Sequence, residues 1–412
     1  MIKHHLTKGA QQVVEGTRQY EWIHLNLNLN IPPVKAASYP YLVWDLLKER
    51  YDKDVLLCKY DKKSFEVAQK SKCSVCQFDI FSYDLKTILF CRYYWLLSRL
   101  FGFRRDVFLE SVASWVTATG GRKVLLWGGI NSLPELRRLL PDVTIAYAQR
   151  HYGYTTKEDY YKYCDVLITQ TFGQVKFAYD NSVRVDPFVI TIPNGVETQT
   201  FIPATPEERR KACLELGIDP NRMVVVFPSK VALHKGSRYL ERIIDNAGQL
   251  FPGITFLVIG GLHHLLPSNH YASLKYTLEN HNQVVWLGGV ARESMPELLQ
   301  AADVCLMPAT CREGFSMAGL EAMASGLPLI APATGCYPEI IKDRVNGLLC
   351  REEALFTDVV AALQLCLDDP ELLKSLGENA RNYVVSTLPR EKNINNFCKF
   401  LDDDWENIDT FM

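Results

Sequence analysis

The sequence predicts an α/β protein with two doubly wound parallel sheets. Short runs of valine, isoleucine and leucine alternate with longer amphipathic segments along the chain. These runs lack the polar alternation of half-exposed strands, so they are typical of parallel strands that are buried on both faces. A length of 412 residues is enough for two or three domains of ordinary size.

The runs that predict strands fall into two groups with helical segments between them, as doubly wound sheets require. In the first half they are Trp22–Asn28, Asp54–Cys58, Lys123–Trp127, Val143–Ala148, Asp165–Thr169 and Val189–Pro193. In the second half they are Met223–Pro228, Ile254–Gly260, Gln283–Leu287, Asp303–Pro308 and Leu327–Pro332.

A domain boundary is expected near residues 195–220, where the chain is rich in proline and polar residues. Thr205 followed by Pro206 predicts the start of a helix that ends near Leu216. The last segment has an apolar helical stripe that must be buried. We therefore expect an acceptor domain over 1–195, a donor domain over 196–389 and a C-terminal helix over 390–412 that packs on the first domain.

Composition favours a globular cytoplasmic protein and argues against several other classes. Hydrophobic residues make up 48% and charged residues 22% of the chain, as in ordinary globular proteins. The net charge of −2 provides no basic field for nucleic acid. No signal peptide and no transmembrane helix are expected, because no apolar run has the required length. We interpret the scattered cysteines as free thiols.

The strongest chemical signal is the string Glu313-Gly-Phe-Ser-Met-Ala-Gly-Leu-Glu321, which follows a predicted strand. A helix is expected to begin near Ser316. Helix N-termini offer unpaired N–H groups that suit a diphosphate, and Gly314 allows the backbone to approach a ligand closely. Two carboxylates at this separation can each accept hydrogen bonds from sugar hydroxyls.

This string resembles the signature Glu-x7-Glu of the retaining GT-B-fold glycosyltransferases of family 4, which are relatives of glycogen synthase. The resemblance implies two Rossmann-like domains with an interdomain cleft and a nucleotide-diphosphate sugar as donor. It further implies that Glu313 contacts the donor hexose and that Glu321 binds the ribose. The donor-binding residues implied by the same resemblance are Gly314, Phe315, Ser316 and Met317.

A second match is the stretch Phe227-Pro-Ser-Lys-Val-Ala-Leu-His-Lys-Gly236. The family usually has Gly-Arg and then Lys-Gly here, and these cations neutralise the donor diphosphate. Lys230 replaces the arginine, which keeps the charge but loses the bidentate fork, and Lys235 is present. Trp286-Leu-Gly-Gly-Val290 resembles the stretch near the nucleotide base.

The first half matches the family less closely. His151, after the strand that ends near Ala148, resembles the histidine that faces the reaction centre, and Arg150 is the alternative if the register differs by one. Where the family often has two glycines after its first strand, this chain has Ala36-Ala37, which restricts positive φ.

The predicted partners are a UDP- or GDP-sugar donor and a glycan or lipid-linked acceptor. Asp52-Lys-Asp54 precedes a strand and Asp402-Asp-Asp404 lies in the terminal helix, so neither suits a catalytic metal; we expect no metal and no cofactor. Residues 85–108 interleave aromatic residues with arginines. They are either a peripheral membrane contact or a helix whose apolar face lies in the core.

The sequence therefore predicts a metal-independent, retaining hexosyltransferase whose catalytic residues are His151, Lys230, Lys235 and Glu313. The alternatives are a sugar-nucleotide epimerase or a phosphorylase of similar fold, and a non-catalytic subunit that binds a nucleotide sugar. A dinucleotide oxidoreductase is disfavoured, since no G-x-G-x-x-G follows a strand.

Overall fold

The structure of the protein is a computed structural model. It divides into two compact units, the first comprising Met1–Thr169, Val175–Thr191 and Phe397–Glu406 and the second Gln170–Gln174, Ile192–Asn396 and Asn407–Met412. Within these units the structure describes residues 10–12, 21–26, 49–50, 53–59, 75–78, 107–149, 152, 160–181 and 187–409.

The first unit is built on an eight-stranded sheet in the order β1-β4-β3-β2-β5-β6-β7-β8. All neighbouring strands are parallel except β1, which pairs antiparallel with β4. The chain leaves β2 in one direction and resumes at β5 on the other side, so the sheet is doubly wound. The strands are β1 (Ala10–Gln12), β2 (Trp22–Asn26), β3 (Asp54–Lys59), β4 (Val75–Phe78), β5 (Lys123–Trp127), β6 (Thr144–Ala148), β7 (Val166–Thr169) and β8 (Phe188–Thr191).

The second unit has a six-stranded parallel sheet in the order β11-β10-β9-β12-β13-β14. Its strands are β9 (Met223–Phe227), β10 (Ile254–Ile259), β11 (Val284–Gly288), β12 (Val304–Leu306), β13 (Leu329–Pro332) and β14 (Gly347–Cys350). The chain adds β10 and β11 on one side of β9 and then continues with β12 on the other side, so β9 pairs directly with β12. The loops that follow β9 and β12 therefore leave the sheet as neighbours, at the switch point where open α/β sheets bind ligands.

The helices of the described residues lie between these strands and at the end of the chain. They are α1 (Val107–Ala118), α2 (Leu133–Leu139), α3 (Phe172–Asn181), α4 (Pro206–Glu215), α5 (Ser237–Leu250), α6 (Ser268–Asn280), α7 (Met295–Leu299), α8 (Met317–Ala324), α9 (Tyr337–Ile340), α10 (Leu355–Asp368), α11 (Pro370–Thr387) and α12 (Arg390–Leu401). Thr205 caps α4 in a capping box with Glu208, which confirms the predicted start of that helix.

Strand β9 shows why an unbroken apolar run forms a buried strand. Val224 and Val226 belong to the core on one face of the sheet, whereas Val225 and Phe227 belong to the core on the other face. Because successive side chains point to opposite faces, every position of the strand after Met223 is buried. The prediction of a parallel sheet covered on both faces is confirmed.

The last turn of α12 and the residues after it belong to the core of the first unit. Trp22 Nε1 donates a hydrogen bond to the carbonyl oxygen of Leu401 at 2.8 Å, and the ring of Trp22 lies 5.3 Å from that of Phe400. Phe397 lies 5.2 Å from Trp127. The apolar stripe of the last segment is thus buried against the first strands of this unit's sheet.

Phe400→Ala is expected to destabilise the first unit by about 3–5 kcal/mol, because it removes a fully buried ring from between two tryptophans. Denaturant unfolding followed by tryptophan fluorescence measures the loss, with the exposed Glu406→Ala as control. A loss below about 1 kcal/mol, the range of surface substitutions, would contradict this packing.

Candidate functional site

The loops after β9 and β12 are fastened to each other beside the switch point. The amide of Thr310 donates to the carbonyl of His234 at 3.1 Å, and the Thr310 hydroxyl donates to the carbonyl of Leu233 at 2.9 Å. Gly236 has a φ of 82°, and a Cβ at this position would lie 1.7 Å from the carbonyl oxygen of Pro308. Only glycine fits this close approach.

This contact brings Lys235 and Glu313 together, although they are far apart in sequence. Lys235 Nζ lies 2.6 Å from Glu313 Oε1. The glutamate is buried, whereas the lysine retains some exposure. The backbone of Glu313 is held from the other side, because its carbonyl accepts from the amide of Cys336 at 3.0 Å and a Cβ at Gly335 would lie 2.5 Å from its nitrogen.

Helix α8 begins four residues after Glu313, next to its predicted start near Ser316. Ser316 is its N-cap and accepts a hydrogen bond from the amide of Gly319 at 3.3 Å. Phe315 and Ser316 are buried, and Met317 is half-buried. The remaining amides of the first turn lack partners within the helix, so this end carries the positive end of the helix dipole.

Glu321 lies one turn into α8 and is buried, with one oxygen that lacks a hydrogen bond. Its Oε1 has no hydrogen-bond partner among the described residues, although it lies 3.3 Å from Nη2 of Arg292. That separation meets the distance for an ion pair but not the geometry of a hydrogen bond. Burial raises the pKa of Glu321 to about 7 against the opposing effect of Arg292. A buried, incompletely satisfied carboxylate is costly unless a ligand completes it.

Lys230 lies in the loop that follows β9, with its side chain exposed. The loop is pinned to the end of β10, since Val231 N donates to Gly261 O at 3.0 Å. A Cβ at Gly260 would lie 1.9 Å from the carbonyl oxygen of Ser229. Within the described ranges, Lys230 has neither an ion pair nor a hydrogen bond. Burial, Lys235 and Lys230 all lower the pKa of His234, so both cations lie near that ring.

Of the remaining predicted residues, the structure describes Val290 but not His151 or Arg150. Val290 lies after β11, half-buried against the core that contains α8, and the same loop carries Arg292 to Glu321. His151 and Arg150 lie outside the described residues, as do Ala36-Ala37 and residues 85–106 of the aromatic and arginine-rich segment. Their roles stay predictions.

The sequence indicated no role for Arg292 and no contact between it and its other partner, Glu197. Arg292 Nη2 donates to Glu197 Oε1 at 3.4 Å, and Arg390 Nη1 contacts the same glutamate oxygen. Arg292 lies 29 positions before Glu321, at the start of a short 3-10 helix (Arg292–Ser294), and no spacing in the sequence indicates that the two residues meet. Arg292 and Glu321 come together only because the segment after β11 packs against α8.

A chain of hydrogen bonds through Ser237, His270 and Glu241 has the order of a hydrolytic triad. Ser237 Oγ lies 2.9 Å from His270 Nε2, and His270 Nδ1 lies 3.0 Å from Glu241 Oε2. Ser237 has no exposed surface, whereas a nucleophile must reach its substrate. The chain therefore anchors the first turn of α5 directly after Lys235 and Gly236.

In the part of the chain that the structure describes, no group of three or more His, Cys, Asp or Glu side chains is placed to hold a metal ion. None of the described helices has the length and apolar character needed to cross a bilayer.

Comparison with known proteins identifies a family model that matches within the second unit. Residues 209–383 match the family model described as "Glycosyl transferases group 1". D-inositol 3-phosphate glycosyltransferase of Corynebacterium aurimucosum is 26% identical over 223 residues, which are 53% of this chain and 52% of that protein. GDP-mannose-dependent monoacylated alpha-(1-6)-phosphatidylinositol monomannoside mannosyltransferase of Corynebacterium glutamicum is 29% identical over 202 residues, 47% of this chain and 50% of that protein. The chain thus spans about half the length of these curated relatives.

A solved structure extends the similarity in fold to nearly the whole chain. Anabaena Alr3699/HepE, in complex with UDP and glucose, matches with a TM-score of 0.72 and 17% identity, over 92% of this chain and 99% of that chain. At this identity the likeness concerns the fold alone. Together with the two parallel sheets, it shows that the chain has the GT-B fold.

Glu321→Gln is expected to stabilise the ligand-free protein at pH 8 by roughly 1–3 kcal/mol, since each pKa unit corresponds to about 1.4 kcal/mol. The folded pKa of about 7 exceeds the ordinary 4.5, so the folded state binds this proton more tightly than the unfolded state. The stability contributed by the protonated carboxyl is complete below about pH 4.5 and is lost as the pH rises through about 7. The side-chain amide of the Glu321→Gln variant does not titrate, so the variant does not lose this stability as the pH rises.

Thermal midpoints at pH 5 and pH 8 measure this effect, with the exposed Glu378→Gln as the matched control. The Glu321 variant should gain stability over wild type only at the higher pH. A lower midpoint at pH 8 would show that the carboxylate is fully compensated within the protein.

Proposed function

We propose that the protein is a retaining glycosyltransferase that moves a hexose from a nucleotide-diphosphate sugar to a glycan, glycolipid or small-molecule acceptor without a metal. The observation that carries the proposal is the grouping at the β9/β12 switch point. There the Lys235–Glu313 ion pair, the exposed Lys230 and the buried, incompletely satisfied Glu321 all lie on loops or helices that begin at these two strands. The similarity of residues 209–383 to group 1 glycosyltransferases supports it.

Each part of a nucleotide sugar has matching chemistry in this grouping. Lys230 and Lys235 supply positive charge for the diphosphate, together with the N-terminus of α8. Glu313 and the backbone of Gly314, Phe315, Ser316 and Met317 suit the hexose hydroxyls. A ribose hydroxyl would donate the hydrogen bond that Glu321 Oε1 lacks, and Val290 suits the base because its loop borders the same helix.

Catalysis in this proposal is mainly electrostatic. Breaking the bond between the sugar and the diphosphate places negative charge on the leaving oxygen, and fixed cations stabilise that charge in the transition state. The ion pair with Glu313 holds Lys235 in position before the donor arrives, which avoids a cost of ordering its side chain. His151 is the fourth member of the proposed catalytic set, on the ground of the sequence resemblance.

Neither the nucleotide base nor the acceptor follows from the grouping. The Anabaena structure contains UDP, whereas the mannosyltransferase relative is named for GDP-mannose, so both donors belong in any test. The names of the relatives include an inositol phosphate and a phosphatidylinositol glycoside, which supports a phosphorylated or lipid-linked acceptor. A cytoplasmic location and a membrane contact through residues 85–108 are parts of the proposal that rest on the sequence.

Lys230→Met is expected to lower kcat/KM with the preferred donor about 10- to 100-fold, the effect of losing a charge-assisted hydrogen bond of ~1.5–3 kcal/mol. Lys230→Arg should keep or raise turnover, since it retains the charge and restores a bidentate fork. A thermal-shift screen of UDP- and GDP-sugars selects the donor, and turnover is then measured with Lys211→Met as the exposed control.

Product analysis separates the proposal from its alternatives. Retention at the anomeric carbon of a transferred sugar, seen by NMR, supports it. An epimerised nucleotide sugar indicates an epimerase, and release of a sugar phosphate from a disaccharide indicates a phosphorylase. Donor binding without hydrolysis or transfer indicates a binding subunit, and wild-type turnover in Lys230→Met removes that residue from the diphosphate site.

A further inference from the structure

Four charged side chains of alternating sign form a row that ends at the nucleotide site. Arg390 Nη1 contacts Glu197 Oε1, the same oxygen lies 3.4 Å from Arg292 Nη2, and that nitrogen lies 3.3 Å from Glu321 Oε1. Arg292 and Glu321 are both largely buried, with 12% and 8% of their side-chain surface exposed. One guanidinium nitrogen thus lies between two carboxylates.

The two contacts of this nitrogen differ in kind. The contact with Glu197 is a hydrogen bond, whereas Glu321 Oε1 receives charge compensation but no hydrogen bond. Glu197 therefore helps to hold Arg292 in position, and Arg292 acts on Glu321 through its charge. Because Coulomb attraction falls with distance more slowly than a hydrogen bond does, the carboxylate is stabilised while its oxygen stays available to a ligand.

We propose that Arg292 is a positioning residue for nucleotide binding: held by Glu197, it favours the charged form of the Glu321 carboxylate and leaves Oε1 of that carboxylate to a ribose hydroxyl. This inference rests on the proposed function, because it assigns Glu321 to the nucleotide. It adds a residue that acts through Glu321.

The surroundings of Glu321 leave Arg292 as the charge that acts on it. Arg381, on the helix α11 that packs beside α8, directs its guanidinium to the carbonyl oxygens of Thr198, Phe201 and Ala324. Ser325 Oγ donates to the carbonyl of Glu321, not to its carboxylate. Among the described residues, Arg292 is the charged group whose field opposes the effect of burial on the pKa of Glu321.

The sign of the resulting pH dependence follows from these contacts. In the wild type the pKa of Glu321 is about 7, so nucleotide affinity should fall as the pH decreases through neutrality and the carboxylate takes a proton. Without the charge at position 292 the pKa rises further. A rise of about one pKa unit would lower the charged fraction of Glu321 at pH 7, so Arg292→Met should bind nucleotide about fivefold more weakly at that pH and should recover most of its affinity near pH 9.

The experiment measures UDP and GDP affinity by calorimetry between pH 5.5 and 9.5. The variants are Arg292→Met, Arg292→Lys, Glu321→Gln and the exposed control Arg351→Met. Arg292→Lys keeps the charge and should keep the wild-type midpoint. Glu321→Gln cannot titrate at this position, so its profile gives the titration of the nucleotide phosphates, which have a pKa near 6, and is subtracted from the others.

A midpoint shifted to higher pH in Arg292→Met, and restored in Arg292→Lys, supports the proposal. A uniform loss of affinity at every pH would overturn it, because a purely structural role or a direct contact does not move the midpoint. If neither UDP nor GDP binds the wild type at any pH, the proposed function itself fails. The two failures are therefore distinguishable.

Discussion

The pairing of β9 with β12 is the constraint on which the rest of the site depends. Val225 and Val226 lie opposite Val304 and Cys305 in parallel register, although about 80 residues separate the strands and β10 and β11 intervene. Because parallel strands end at the same edge of a sheet, this register brings the Lys235 turn onto the chain after Pro308. The 2.6 Å contact between Lys235 and Glu313 follows from it, as does the need for glycine at position 236.

The site holds charge in a way that a purely structural protein would avoid. In the Lys235–Glu313 pair each charge has a partner within the protein, and the charge-assisted contact fixes the geometry. Glu321 is the contrary case, because it is buried, lacks one hydrogen bond and has its pKa raised to about 7. A folded protein retains such a group where function requires it, and the cost is borne by the large cores on both faces of the same sheet.

The sequence predicted the features that arise from local patterns. The buried run of β9 and the capping pair Thr205 and Glu208 depend on residues that are close in sequence, so the sequence alone predicts them. The predicted start of α8 at Ser316 is confirmed for the same reason. The strands β1, β4 and β14 were not predicted. β1 contains only alanine and glutamine, and β14 has only four residues and begins with glycine, so neither has the run of valine, isoleucine and leucine that predicted the other strands.

The sequence did not predict the contacts that depend on the tertiary fold. Lys235 and Glu313 were each assigned to a ligand, but their direct ion pair follows only from strand order. No pattern in the sequence indicated the contact between Arg292 and Glu197, since charged residues between strands are ordinarily solvated. Two loops and the start of α12 must converge before the row of alternating charges exists.

Lys235 and Lys230 contribute to ligand binding in different ways, because only Lys235 has a partner among the described residues. Lys235 is fixed by Glu313 before any ligand arrives, so its contribution to a diphosphate is preorganised and its charge is partly neutralised. Lys230 is exposed, and no described residue pairs with it, so it retains its full charge but must be ordered when a ligand binds. A guanidinium would lose less entropy for each hydrogen bond formed, since its planar fork is rigid. The lysine at position 230 therefore makes electrostatic attraction, rather than fixed geometry, the main contribution of this loop to donor binding.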